Sequence, residues 1–267
     1  MHVLLGQLCP VPGDVAANVG AIADALAEHP TAELAVFPEL FLGGYDLARV
    51  AGLAVEVGDP VIGELRAAAR DAQTALVVGF AEALPHGGVA NAVACIDAGG
   101  SLATTYRKTH LFGAGEREAF VAGDALRVTE LAGRRAGPLV CFDIEFPEPA
   151  RALARAGAEL LVTVAANMDP YGPDHALAAR ARALDNRRPH VYVNRCGDEA
   201  GMSFAGGSAV IGPDGSVQHQ LGRASQLACV ELAGGPATGL DADYLQHLRP
   251  DLAVEDDQPI PTHGATS

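Results

Sequence analysis

The sequence predicts a mixed α/β fold in which two β-sheets face each other with helices outside them, a four-layer α-β-β-α sandwich. Two observations lead there. Short apolar runs alternate with helical periodicities as βα units, and each such block is followed by a meander of strands. No Ser/Gly/Pro linker divides the middle of the 267 residues, so one domain is expected over 1–235, with a C-terminal helix and tail over 236–267.

Taken in order, residues 3–8 are a strand-like apolar run, and Asp14 caps a helix whose Val15, Val19, Ile22 and Leu26 share a face. Residues 34–37 form a short buried strand ending in Pro38-Glu39. Glu39 therefore stands at the carboxyl end of a strand, where open α/β sheets place ligands. Asp59-Pro60 opens a helix with Val61, Ile62, Leu65 and Ala69 inward. Strands at 75–81, 89–97 and 102–107 read as a hairpin meander. Lys108 lies just beyond it, and a loop with Gly113 and Gly115 carries Glu116. Strands at 126–131 and 138–142 are joined by the Gly-Arg-Arg-Ala-Gly turn of 133–137. Pro147 opens a helix reaching about Ala156, and a strand over 159–165 ends at Asn167-Met168-Asp169-Pro170. An Arg- and Ala-rich helix over 174–188 stops before Pro189 and is followed by a strand at 190–195. Strands at 208–211 and 216–221 flank the Pro213-Asp214-Gly215 turn, and 227–232 is the last strand. A short helix around 241–248 precedes a polar tail.

Composition narrows the function classes. A net charge of −15 argues against nucleic acid as a partner, which needs a basic face. Five cysteines (Cys9, Cys95, Cys141, Cys196 and Cys229) show no CxxC pair, which predicts free thiols in a reducing compartment and no zinc site. The N-terminus lacks the regions of a signal peptide, and no uncharged apolar run is long enough to span a membrane, so the cytoplasm is expected. One fact is sharper: the chain has 17 Arg and a single Lys, Lys108. Lysine is a compact point charge with an adjustable pKa, whereas guanidinium is bulky and always protonated, so this position either needs an ammonium or holds one by chance.

The chain is organised around 139–149, Leu-Val-Cys-Phe-Asp-Ile-Glu-Phe-Pro-Glu-Pro, read as strand, sharp turn and helix with Cys141 at the turn. Backbone N–H groups at such a turn lower a thiol pKa and hold a developing oxyanion. The alternative is a cysteine that is one more small buried apolar residue. A nucleophilic thiol needs a base, and no histidine has an obvious claim, although His110, His175 and His190 lie near motif-like segments. Glu39 could take the thiol proton and return it to a leaving amine, Lys108 could hold the oxyanion, and Glu116 could position Lys108. Singly, each has a plainer reading as a helix cap, a rim cation or a solvated acid.

Jointly, three stretches in order carry more. The stretches Phe-Pro-Glu-Leu at 37–40, Tyr-Arg-Lys-Thr-His-Leu-Phe at 106–112 with Gly-Glu-Arg-Glu-Ala-Phe at 115–120, and Cys-Phe-Asp-Ile-Glu-Phe-Pro-Glu at 141–148 resemble the three signatures of the nitrilase superfamily of carbon–nitrogen hydrolases. The resemblance continues through Ala-Ala-Asn-Met at 165–168 and the segments 180–197 and 203–215, while the loop over 198–205 looks divergent. It implies the nitrilase-like sandwich and a Glu-Lys-Cys site that needs no cofactor or metal. Cys141 would be the nucleophile and Glu39 the general base and acid. Lys108, with the backbone N–H of Phe142, would stabilise the tetrahedral intermediate, and Glu116 would be the second glutamate. Within the superfamily the chain looks most like bacterial aliphatic amidases, among them those acting on ω-amino amides. A nitrilase or an N-carbamoyl amide hydrolase would use the same residues, and a non-catalytic thiol-sensing or assembly protein is the reading from another class.

The resemblance also implies a small-molecule amide as substrate and a homodimer or larger, packed through the helices after Pro147 and at 174–188. Phe142, Glu145, Asn167 and Met168 are the candidate substrate-binding residues, Asn167 and Met168 being equally readable as a strand-end turn with a core methionine. Glu145, Asp169 and Glu199 are expected near the pocket mouth, where a carboxylate would attract a distal amine, unless Glu145 instead holds an Arg of 180–188.

Overall fold

The computed structural model describes residues 1–234, 244–249 and 251. Its elements are β1 (His2–Gln7), α1 (Val15–Glu28), β2 (Leu34–Val36), α2 (Val50–Leu53), α3 (Pro60–Ala72), β3 (Ala75–Ala83), β4 (Val89–Ile96), β5 (Leu102–Arg107), α4 (Gly113–Ala119), β6 (Thr129–Leu131) and β7 (Arg134–Val140). After a 3₁₀ turn at Cys141–Glu145 come α5 (Pro147–Arg155), β8 (Leu160–Ala165), α6 (Gly172–Asn186), β9 (His190–Asn194), β10 (Cys196–Glu199), β11 (Met202–Ala205), β12 (Ala209–Ile211), β13 (Val217–Gln220) and β14 (Gln226–Glu231).

The strands form two six-stranded sheets, β14-β1-β2-β3-β4-β5 and β13-β12-β9-β8-β7-β6, plus the β10-β11 hairpin. In the first sheet β1, β2 and β3 run parallel, and in the second β7, β8 and β9 do, with antiparallel strands flanking each trio. Strands covered on both faces must be apolar throughout. In β1, Val3 and Leu5 point to the core shared with the second sheet, while Leu4 packs with Val19, Ile22 and Leu26 of α1 and Ile62 and Leu65 of α3. Each such fully buried aliphatic side chain contributes about 1.5–3 kcal/mol relative to exposure. Helices α5 and α6 supply Ala150, Leu153, Ala179 and Ala183 to the core of the second sheet, which completes the α-β-β-α sandwich.

Local chemistry sets the helix ends. Asp14 accepts from Ala17 N at 3.0 Å, and Asp59 accepts from Val61 N at 2.9 Å ahead of Pro60. Helix α6 closes on Arg187 in the left-handed region two residues before Pro189.

Three expectations are corrected. The turn between β6 and β7 is not 133–137 but the two residues Ala132 and Gly133, both at positive φ, 48° and 71°. This is the two-residue hairpin geometry that matches strand twist, and it lets Arg135 pair across the ladder with Glu130. Residues 198–205, expected as a divergent loop, are the β10–β11 hairpin, turned by Ala200 and Gly201 at φ 49° and 79°. Glu116 lies not on a loop but on the short helix α4. Of the helix expected over 241–248, the described part is a 3₁₀ turn at Tyr244–His247; residues 241–243 and the tail over 252–267 lie outside the described residues.

Candidate active site

The polar groups expected at strand ends meet at one edge of the sandwich. Glu39 follows β2, Lys108 follows β5, Cys141 follows β7 and Asn167 follows β8. The four chain segments come from both sheets, so the site lies between them. Cys141 sits at φ 46°, a left-handed conformation uncommon for a side chain other than glycine. The chain leaves β7 sharply there, enters the 3₁₀ turn, and only at Pro147 begins α5. The expected strand, turn and helix are thus present with one tight turn between them. The Glu39 segment needs a different allowance. A Cβ on Gly79 of β3 would stand 2.5 Å from both Glu39 Cα and Pro38 O, so only glycine lets the Glu39 turn lie against β3.

Glu39, Lys108 and Glu116 form one buried ion network. Lys108 Nζ donates to Glu39 Oε1 at 2.7 Å and to Glu116 Oε1 at 2.8 Å, with all three side chains 0–1% exposed. Asn91 Nδ2 also donates to Glu39 Oε1 at 2.7 Å, and Ala166 N donates to Oε2 at 2.7 Å. Glu39 thereby accepts on both oxygens, the pattern of a carboxylate. Glu116 is held in turn by the Tyr45 hydroxyl at 2.5 Å and by Phe112 N at 2.8 Å. Burial works to discharge Lys108, but the Glu39 and Glu116 carboxylates outweigh it and hold the ammonium above its ordinary pKa. Burial likewise raises Glu116, with Lys108 opposing.

The thiol departs from expectation. Burial pushes the Cys141 pKa well up, Glu39 adds to this, and Lys108 pulls against it, as does a backbone hydrogen bond with Ala166. The turn does not by itself yield a resting thiolate; the sulfur keeps its proton until a base takes it. Lys108 and Glu39, both electrostatically coupled to that sulfur, are the groups placed to manage the charge.

A narrow cleft of about 280 Å³, counted to its open mouth, reaches Cys141. Phe142, Glu145, Asn167 and Met168 all line it, together with Tyr45, Phe112, Tyr171 and His175. Of the three carboxylates expected at the mouth, two are committed elsewhere. Asp169 pairs with Arg223 at 2.5 Å on the surface, and Glu199 pairs with buried Arg195 at 2.6 Å and accepts from Tyr45 N at 3.1 Å. Glu145 alone remains. Among the described residues it pairs with no Arg of 180–188 but with His175 of α6, whose Nε2 lies 3.1 Å from Glu145 Oε1 and whose Nδ1 meets Tyr192 Oη at 3.0 Å. A histidine with no evident claim in the sequence is therefore a wall of the cleft. Asn91 and Tyr45 were missed as well; a lone Asn inside the otherwise apolar β4 run, and the Tyr closing the Gly-Gly-Tyr after the first signature, were the available signals.

Among the described residues no group of three or more His, Cys, Asp or Glu is placed to hold a metal ion, and no helix is long and apolar enough to cross a membrane. With that geometry in place, residues 3–234 match the family profile described as carbon-nitrogen hydrolase. The chain belongs to the carbon–nitrogen hydrolase family. A "Hydrolase in pqqF 5'region" of Pseudomonas protegens is 43% identical over 81% of this chain and 77% of its own length. An (R)-stereoselective amidase of a Pseudomonas species is 39% identical over 96% of this chain and 94% of its own. Among solved structures, an amidase of Nesterenkonia sp. AN1, a nitrilase-superfamily protein, superposes with a TM-score of 0.84 at 35% identity, covering 94% of each chain. That structure carries the acetamide moiety of fluoroacetamide covalently on its active-site cysteine. This carbon–nitrogen hydrolase is an amidase-type enzyme of the nitrilase superfamily, acting on carbon–nitrogen bonds other than peptide bonds.

Proposed function

We propose that the enzyme hydrolyses short aliphatic primary amides to the carboxylic acid and ammonia through a thioester on Cys141. The observation that carries this is the buried Glu39–Lys108–Glu116 network, electrostatically coupled to Cys141 at its left-handed turn. Glu39 takes the Cys141 proton as sulfur attacks the amide carbon, so the cost of a buried thiolate is met only when a substrate is present. The Lys108 ammonium and the Phe142 N–H hold the oxyanion, and Glu116 keeps Lys108 charged and aimed. The protonated Glu39 then gives its proton to the departing nitrogen and ammonia leaves. Water, deprotonated by Glu39, attacks the thioester, and the acid departs as the thiol is restored. The wall residues Phe142, Asn167 and Met168 are the substrate-binding groups of this scheme.

A preference for a distal amine is part of the proposal. Glu145 is held by His175 through one oxygen, its side chain is 34% exposed at the cleft, and Oε2 has no hydrogen-bond partner among the described residues. A charge-assisted hydrogen bond contributes roughly 1.5–3 kcal/mol, or about 10- to 150-fold in specificity. Ammonia release from a panel of amides and nitriles, with 5-aminopentanamide set against pentanamide, tests both levels. The amino amide is expected to have the higher kcat/KM, and Glu145→Gln to remove most of that advantage. Equal kcat/KM for the two amides would defeat the amine reading alone; hydrolysis of nitriles and not amides would defeat the amidase reading.

A homodimer through α5 and α6 belongs to the same proposal. Leu177 and Leu184 of α6 are 68% and 39% exposed beside Tyr171 at 42%, an apolar strip that a second copy of the chain would cover. Light scattering at micromolar concentration is expected to give twice the chain mass or more, and a monomer there would refute it. The five free cysteines support a reducing, cytoplasmic setting.

A further inference from the structure

Asp143 is the most heavily bonded carboxylate in the described structure, and the chemistry above does not use it. It is fully buried, two residues past Cys141 on the same 3₁₀ turn. Its Oδ2 accepts from Val140 N at 3.0 Å and from Tyr106 Oη at 2.7 Å. Its Oδ1 accepts from Thr109 Oγ1 at 2.8 Å, His110 N at 3.0 Å and His110 Nδ1 at 2.9 Å. The donors fall into two groups. Val140 immediately precedes Cys141. Tyr106, Thr109 and His110 bracket Lys108, which leaves the edge of the other sheet.

A helix cap would need one or two of these donors. Five donors that converge from both sheets do something else: they tie the turn bearing the sulfur to the segment bearing the ammonium. Despite burial, these donors keep Asp143 below the usual carboxylate range, so the tie stays charged wherever the enzyme is folded at neutral pH. On the outer side the His110 ring stacks on Phe146 with centroids 4.3 Å apart, which closes the clamp against the start of α5.

We propose that Asp143 is a positioning residue that sets the placement of Lys108 relative to Cys141. This rests on the reading of those two groups as oxyanion holder and nucleophile. Asp143→Asn keeps the volume but turns one acceptor oxygen into a donor, so at least two of the five bonds fail. In the folded variant kcat on a short amide is expected to fall about 10²-fold, the loss that a misplacement near 1 Å brings, with KM within about threefold of wild type. Lys108→Arg, expected to keep a measurable rate roughly 10²–10³ below wild type, supplies the cycle: adding Asp143→Asn to it should cost no more than about threefold further, because the group being positioned is already displaced. A purely structural Asp143 would instead lower Tm and leave kcat per folded enzyme unchanged. Should Asp143→Asn not fold, Tyr106→Phe and Thr109→Val each remove one donor, and a severalfold loss of kcat with unchanged KM is expected of both. The proposal is overturned by folded Asp143→Asn with kcat within about threefold of wild type, by losses that multiply in the Lys108 cycle, or by wild-type kcat in both single-donor variants. A Lys108→Arg enzyme within a few-fold of wild type would sink the assignment of Lys108 instead, a separate outcome.

Discussion

Cys141→Ser is expected to lose at least about 10³-fold in kcat/KM, the scale seen when a nucleophile is removed, while remaining folded. The change replaces one small buried atom by another, so packing is nearly kept. Chemistry is not kept. A hydroxyl is a far weaker acid than a thiol, and burial and Glu39 already oppose ionisation at this position. Glu39 cannot strip a proton that is several decades harder to remove. Circular dichroism and a thermal melt close to wild type, with ammonia release at background, are the expected readings. A Ser variant with substantial turnover would place the nucleophile elsewhere, for which no other cysteine is a candidate in the cleft.

The second large effect concerns charge shape. Lys108→Arg keeps a cation but is expected to cost roughly 10²–10³ in rate, the loss of a main oxyanion donor. The ammonium fits between two carboxylate oxygens at 2.7 and 2.8 Å in a fully buried space. A planar guanidinium brings a rigid fork and more volume, so it cannot make both contacts from the same place. Lys108→Ala goes further, leaving Glu39 and Glu116 buried without their counter-ion, and destabilisation of about 3–5 kcal/mol is expected. Steady-state rates for the Arg variant and denaturant unfolding for the Ala variant read these separately. An Arg enzyme within a few-fold of wild type would reduce Lys108 to a bystander.

Much of this site could be read in the chain because strand ends announce themselves. Glu39 and Cys141 each follow an apolar run short enough to be a strand, Lys108 follows the third strand of a hairpin meander, and the topology brings these strand ends to one edge. What escaped was set by neighbours in space. Asn91 reaches Glu39 only because β4 lies beside β3, and His175 finds Glu145 only because α6 packs over the 3₁₀ turn. Asp169 and Glu199 looked available until Arg223 and Arg195 were seen to hold them. The Gly-Arg-Arg-Ala-Gly segment misled in another way. Its glycines suggested turn ends, but the left-handed pair at Ala132 and Gly133 turns the chain one step earlier and leaves the arginines on the ladder. The raised thiol pKa was also out of reach, since desolvation depends on burial that spacing does not report.

The account centres on Cys141 as the group that bonds to substrate. Iodoacetamide, itself a small primary amide, tests this by peptide mapping of all five cysteines alongside residual activity. Cys9 is exposed, Cys229 half-buried, and Cys141 buried like Cys95 and Cys196, so simple accessibility favours Cys9. The expected result is the reverse: Cys141 is alkylated first, activity falls in step with its labelling, and a competing aliphatic amide protects it. Labelling of Cys9 ahead of Cys141, or full activity retained on enzyme alkylated at Cys141, would contradict the mechanism.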